Sequence, residues 1–174
     1  EIVRSLVGSE MCIRDRNARA TLLLAQAAYP ALKESKGALV AVASMSGMGA
    51  HPGMGAYSPS KAALISLCQV LAQEWACDGI NVNTVSPGMI RTPLTQKVYQ
   101  NNQIAKERAA LVPWGRVGNP EDISNVISFL LSPEANYITG QNILVDGGFV
   151  DSLYRHIPGL PDSSEIDKTE RIKL

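Results

Sequence analysis

Tyr57 and Lys61 stand four positions apart where a helix is expected to begin, so both side chains can project from one side of it. A phenol ordinarily titrates at a pKa of about 10, too high to exchange protons well near neutrality, and a nearby ammonium favours its phenolate. Lowering that pKa by roughly three units takes about 4 kcal/mol, within reach of one cation and a few hydrogen bonds in a sheltered place. The pair is therefore a candidate general acid/base. Spacing alone does not single it out, because Tyr29 and Lys33 repeat the interval. Context separates them: Tyr57 follows an apolar strand and a short Gly-rich loop with Ser44 at the strand's end, whereas Tyr29 lies mid-helix beside Pro30. In open parallel sheets ligands bind at the carboxyl ends of strands.

The elements that must position these residues are legible in outline. Asn17 to Leu32 reads as a helix whose last turns Pro30 disturbs. Gly37 to Ala43 is apolar on both faces, which belongs to a strand inside a parallel sheet. Ser44 to Ala56 reads as a loop and Tyr57 to Ala76 as a second helix, with Pro59 tolerated in its first turn. Gly79 to Val85 and Asn142 to Asp146 read as further strands. Between them Asn119 and Pro120 open a helix with Glu121 and Asp122 in its first turn and Ile123, Val126, Ile127, Leu130 and Leu131 on one face. This alternation predicts an α/β fold, a parallel sheet with right-handed crossovers. Thr92 to Gly118 shows few regular apolar intervals and is expected to be irregular.

Composition narrows the function. Among 174 residues, sixteen basic and sixteen acidic side chains cancel, which argues against a nucleic-acid or anionic-membrane binder and for a small-molecule partner. The longest apolar runs are too short to span a bilayer and the N-terminus lacks a secretory pattern, so a cytoplasmic protein is expected. Cys12, Cys68 and Cys77 form no CxxC pair and have no His at zinc spacing, so neither a disulfide framework nor a metal site is expected.

Ser44, Tyr57 and Lys61, followed by Asn81-Val-Asn-Thr-Val-Ser-Pro-Gly-Met-Ile-Arg-Thr92 and then Val145-Asp-Gly-Gly148, resemble the short-chain dehydrogenase/reductase family. The resemblance runs from Asn17 to about Phe149. It implies the carboxyl-terminal half of a Rossmann-like doubly wound sheet, and an oxidoreductase moving hydride between NAD or NADP and an alcohol or carbonyl substrate. By that resemblance Tyr57 exchanges the substrate proton, Lys61 lowers its pKa and binds the nicotinamide ribose, Ser44 orients the carbonyl or hydroxyl, and Asn17 holds a relay water. Tyr57, Pro87, Gly88, Ile90 and Thr92 would meet the nicotinamide end of the cofactor with Lys61. The segment Thr92 to Gly118 would be the substrate lid, with Met89, Leu94, Val98 and Trp114 as its lining. The helices at Asn17 and Tyr57 would pair across subunits, implying a homodimer or homotetramer for the parent protein. Two rivals stand beside this reading. A sugar-nucleotide isomerase or dehydratase shares Tyr and Lys but continues into a substantial substrate domain, and a non-catalytic fragment would bind or oligomerise without turnover.

Other features depart from the family. Gly49, Gly53 and Gly55 copy a phosphate-cradling spacing, but Pro52 interrupts the turn and the loop belongs on the substrate side. His51 could face substrate from it. The family's own Gly-rich turn, its cofactor-sorting residue and its Asn-Asn-Ala-Gly stretch are not found ahead of Asn17. Instead Leu6-Val-Gly-Ser-Glu-Met-Cys-Ile-Arg-Asp-Arg16 resembles a translated tagmentation sequencing adapter, which implies a foreign leader over residues 1–16 joined to a partial domain over 17–150. Residues 151–174 read as a polar extension. A partial sheet would leave the strand at Gly37 to Ala43 under-covered, so an aggregation-prone chain without turnover is expected.

Overall fold

The computed structural model describes residues 15–158. The expected leader and the polar extension lie largely outside the described residues. A π-helical turn, Asp15–Arg19, leads into helix α1, Ala20–Ser35. Pro30 lies inside α1 without ending it. One backbone donor is lost, while Tyr29 and Leu32 pack against the core on either side of the proline and hold the helix through its last turn. Lys36, at φ 49°, closes it, with the Gly37 N–H donating to the Leu32 carbonyl at 2.9 Å.

Strand β1, Ala38–Val42, is followed by a short 3-10 turn, Met45–Gly47, and helix α2, Tyr57–Trp75. In α2, Ser60, Leu64, Cys68, Leu71, Ala72 and Trp75 are buried, a stripe at helical spacing. Strand β2 is Asn81–Pro87. It starts two residues later than the apolar pattern suggests, because Gly79 takes a left-handed φ of 77° and ends the preceding turn. Helices α3, Gln96–Tyr99, and α4, Asn102–Leu111, then occupy a segment the sequence presents as irregular. Local bonds build α4: the Asn101 side chain accepts from Gln103 N at 3.0 Å and Ile104 N at 3.2 Å, and Gln103 donates to Glu107 one turn on, at 2.8 Å. Helix α5, Pro120–Leu130, and strand β3, Asn142–Val145, complete the order.

The strands form one parallel sheet, β1-β2-β3, with Val42 opposite Val85 and Ser86 opposite Leu144. Helices cover both faces. Ala41, Ala43 and Val82 pack with Leu64, Cys68 and Leu71 of α2, while Val85, Val40 and Ile143 pack with Ile123, Val126 and Leu130 of α5. The middle of β2 is polar as well as buried. Asn83 donates to the Ile138 carbonyl at 2.7 Å and accepts from Gln141 N at 3.0 Å, and Thr84 and Ser86 both donate to the Asn142 side chain, at 2.9 and 2.7 Å. These bonds fix the register of β3.

Among the described residues β1 is an edge strand. Gly37 O and Ala43 N bond to β2, so by strand alternation the backbone groups of Ala38, Val40 and Val42 point to the open side. Val42 is 45% exposed among the described residues. Among the described residues no helix is long and apolar enough to cross a membrane.

Candidate active site

Ser44 follows β1 in extended backbone, at φ −171°, and its Oγ accepts the Ser46 N–H at 3.1 Å. That bond occupies a lone pair and leaves the hydroxyl proton free to donate. The following turn is pressed onto α2: a Cβ on Gly47 would come within 2.9 Å of the Lys61 carbonyl carbon. Only glycine allows that approach, and it brings Ser44 and the first turns of α2 into one corner.

Tyr57 opens α2, its N–H donating to Met54 O at 3.1 Å, and is half-buried. Lys61 lies one turn on. Its Nζ donates to the Val42 carbonyl at 2.9 Å and stands 5.9 Å from the centre of the Tyr57 ring. Val42 O belongs to the outer edge of β1, so the ammonium satisfies a strand acceptor that no described strand reaches. Burial pushes the Lys61 ammonium below its ordinary 10.5.

Asn17 lies in the π-helical turn before α1, a geometry that often marks functional positions. Its Nδ2 donates to Ser60 Oγ at 2.9 Å, and Ser60 Oγ donates to the Tyr57 carbonyl at 2.7 Å. The buried Ser60 is thus the link between Asn17 and the start of α2. Sequence reasoning missed it; its place one turn after Ala56 on the buried stripe was the available signal. Asn17 and Lys61 also share a groove of about 310 Å³ with Thr21, Val40 and Val42.

The residues after β2 are built differently. Gly88 N donates to Val145 O at 2.9 Å, and a Cβ on Gly88 would lie 2.5 Å from the Asp146 Cβ. Asp146 in turn accepts from Gly148 N at 2.8 Å and Val150 N at 2.7 Å, which fixes the turn after β3. Ile90 pairs with Gly118, and its carbonyl accepts from Thr95 Oγ1 at 2.9 Å. Thr92 Oγ1 is 3.2 Å from Thr95 Oγ1. Ile90 lines a hollow of about 240 Å³ with Met89 and Asp146, and Thr92 one of about 400 Å³ with Tyr99. The residues around Lys61 and those after Gly88 therefore face separate hollows.

A cavity of about 430 Å³ adjoins the Ser44 turn. Met45, Ser46 and His51 contribute from the loop, Met89 from the end of β2, and Arg108 and Leu111 from α4. Ser46 Oγ and His51 Nδ1 are 2.9 Å apart. Of the lining the sequence suggested, Met89 is here and Trp114 lines the smaller hollow beside Asp146, whereas Leu94 is 93% exposed. Arg108 and Leu111 escaped notice because α4 itself did. The Gly49, Gly53 and Gly55 loop runs exposed, with positive φ at Gly53 and Gly55, and reaches α2 through turns rather than directly from β1.

The arrangement joins a phenol, a half-buried ammonium and a hydroxyl whose proton is free at the end of a parallel sheet. It can hold a carbonyl oxygen and exchange a proton with it.

The family described as enoyl-(acyl carrier protein) reductase matches residues 11–150. A tropinone reductase homologue of Arabidopsis thaliana is 42% identical over 134 residues, covering 76% of this chain and 49% of the relative. The solved structure of 4-hydroxyisoleucine dehydrogenase complexed with NADH superposes with a TM-score of 0.75 at 37% identity, over 79% of this chain and 58% of that one. An oxidoreductase of the short-chain dehydrogenase/reductase family from Burkholderia thailandensis gives a TM-score of 0.73 at 35% identity, over 79% and 55%. The chain spans about half the length of the curated relatives it matches.

Proposed function

Because the chain belongs to the short-chain dehydrogenase/reductase family, we propose that it carries the proton-transfer half of an NAD(P)-dependent site acting on an alcohol or carbonyl, with Tyr57 as acid/base. The observation that carries this is Lys61, a half-buried cation anchored 2.9 Å from Val42 O and set 5.9 Å from the Tyr57 ring centre. In the reducing direction Tyr57 Oη gives its proton to the carbonyl oxygen, and Ser44 Oγ donates a second hydrogen bond to the same atom. Lys61 stabilises the charge left on the phenolate oxygen. Asn17 acts on the start of α2 through Ser60, and its carbonyl-side polar groups are where a relay water would sit.

The donor set fits the nicotinamide end of a dinucleotide. After bonding Val42 O, the Lys61 ammonium keeps two N–H groups for ribose hydroxyls, with the Tyr57 ring centre 5.9 Å away. Pro87, Gly88, Ile90 and Thr92 follow the neighbouring strand, where the carboxamide would be met. Among the described residues no glycine turn runs directly from a strand into a helix, so the pyrophosphate has no cradle in them. A nicotinamide cofactor, when bound, supplies or removes the hydride. Paired subunits are proposed for the parent protein, in keeping with Leu23, Leu24 and Val70, which stand exposed on α1 and α2.

Titration of the 174-residue chain with nicotinamide mononucleotide, followed by NMR, tests the reading. Shifts at Tyr57 and Lys61 that vanish in Lys61→Ala are expected, with no carbonyl reduction when NADH or NADPH and a ketone are added. Binding that Lys61→Ala leaves intact would refute the assignment, and turnover by this chain would refute its being half a site.

A further inference from the structure

The cavity of about 430 Å³ at the turn after Ser44, lined there by Met45 and Ser46, carries one formal charge in its wall, Arg108, and no carboxylate. The remaining wall is mostly apolar, from Met45, Met89, Leu111 and Phe149, apart from the Ser46–His51 pair. Arg108 also stacks on an aromatic ring. Among the described residues its ring contact is Tyr99, 5.6 Å from guanidinium to ring centre, and no carboxylate pairs with it. Arg91 lies near the same ring, at 5.4 Å, likewise without an acidic partner. Two guanidiniums held on one buried ring raise the local positive potential, and the stacking orients Arg108 before any ligand arrives.

Resting on the oxidoreductase reading above, we propose that Arg108 sets substrate class: the cavity takes a small oxo- or hydroxy-carboxylate, its carboxylate on the Arg108 fork and its carbonyl toward the Met45–Gly47 turn that follows Ser44. A guanidinium matches a carboxylate with two parallel hydrogen bonds. The apolar wall between the loop and α4 accommodates the short carbon chain joining the two groups. A phosphate dianion fits less well, since the wall offers one cation and few other donors for its three oxygens. The lid segment therefore contributes recognition as well as cover, because Arg108 and Leu111 both come from α4.

The test uses the 174-residue chain with 4-oxopentanoate, its methyl ester and dihydroxyacetone phosphate, each titrated by ligand-observed NMR. The acid is expected to bind at least about tenfold tighter than the ester, close to 1.4 kcal/mol. Arg108→Gln removes that ratio and Arg108→Lys restores part of it. Arg91→Gln, which disturbs the same Tyr99 stack from outside this cavity, keeps the ratio within about threefold. Equal binding of acid and ester, no binding of either, or a ratio that survives Arg108→Gln overturns the proposal. Tighter binding of dihydroxyacetone phosphate overturns the carboxylate class. The oxidoreductase reading falls on the mononucleotide titration and this one on the acid-to-ester ratio, so either can fail alone.

Discussion

Gly88→Ala probes the closest backbone approach in the site. The added Cβ would lie 2.5 Å from the Asp146 Cβ and 2.7 Å from its Cα, far inside ordinary carbon contact. These are backbone-anchored atoms, so no flexible side chain can swing away, and Asp146 is itself held by the Gly148 and Val150 N–H groups. Either the ends of β2 and β3 separate, losing the 2.9 Å bond from Gly88 N to Val145 O, or strain accumulates. Overpacking of this kind costs about 1–3 kcal/mol. With a urea slope of roughly 1–3 kcal/mol/M, the unfolding midpoint should fall by about 1 M. Gly49→Ala is the matched control, since a Cβ there meets nothing within 4 Å, and at a compatible backbone this change is neutral or stabilises by up to about 1 kcal/mol. Urea denaturation followed by Trp75 fluorescence reads both. If Gly88→Ala is no less stable than Gly49→Ala, the close approach of the two strand ends is wrong.

Asn83→Ala strands the Ile138 carbonyl and the Gln141 N–H in the interior, and each unmet partner costs about 1–3 kcal/mol, so it should destabilise by roughly 2–6 kcal/mol. Asn81→Ala, at the strand's start, should cost less than about 1 kcal/mol in the same urea experiment. Asp122 is drawn well below its ordinary 3.8, first by Arg116 and then by the Asn119 N–H. Its stabilisation is present above the unfolded value and is lost as pH falls through the folded one, so Asp122→Asn should narrow the gap in thermal midpoint between about pH 7 and about pH 3. Burial pushes the Cys68 thiol up to about 11, while Cys77 is exposed. Iodoacetamide at about pH 8 should therefore modify Cys77 and spare Cys68 until denaturant is added, as peptide mass spectrometry would report.

Elements whose burial is periodic were legible in the sequence, because apolar spacing records which face a neighbour covers. β1, α2 and α5 fall close to where their patterns place them. β2 was shifted because its interior mixes Asn83, Thr84 and Ser86 with valines, and those polar residues are buried by bonding to the approach of β3, a partner some 55 residues away in the chain. α3 and α4 were invisible for the opposite reason: caps and i to i+4 bonds sustain them while little of their surface is buried. The same blindness hid Arg108. Ser60 was hidden because a small polar residue on a buried stripe looks like filler until its partner, Asn17, is placed beside it.

The two Tyr–Lys pairs share a spacing and differ in what surrounds the lysine. Tyr29 donates to the Asp78 carboxylate, Lys33 lies 2.7 Å from the same group, and the Tyr29 ring packs on Trp75 at 5.0 Å. The carboxylate neutralises the ammonium and, through its hydrogen bond, pushes the Tyr29 phenol above its ordinary 10. That phenol is held protonated, and the pair works as a latch between α1 and the end of α2. Among the described residues Lys61 has no carboxylate partner; its partner is a neutral strand carbonyl, so its charge remains available to the neighbouring ring. A carboxylate in reach of the lysine makes this spacing structural, and a carbonyl in its place leaves the ammonium charge without a carboxylate, as the proposed acid/base role requires. Placing an aspartate in the groove that Thr21 shares with Lys61, by Thr21→Asp, should accordingly abolish the mononucleotide shifts at Tyr57 that the proposed function expects, whereas Thr21→Asn, of the same shape without the charge, should retain them. Equal loss in both variants would show that the shape of that groove, and not the charge around Lys61, governs the site.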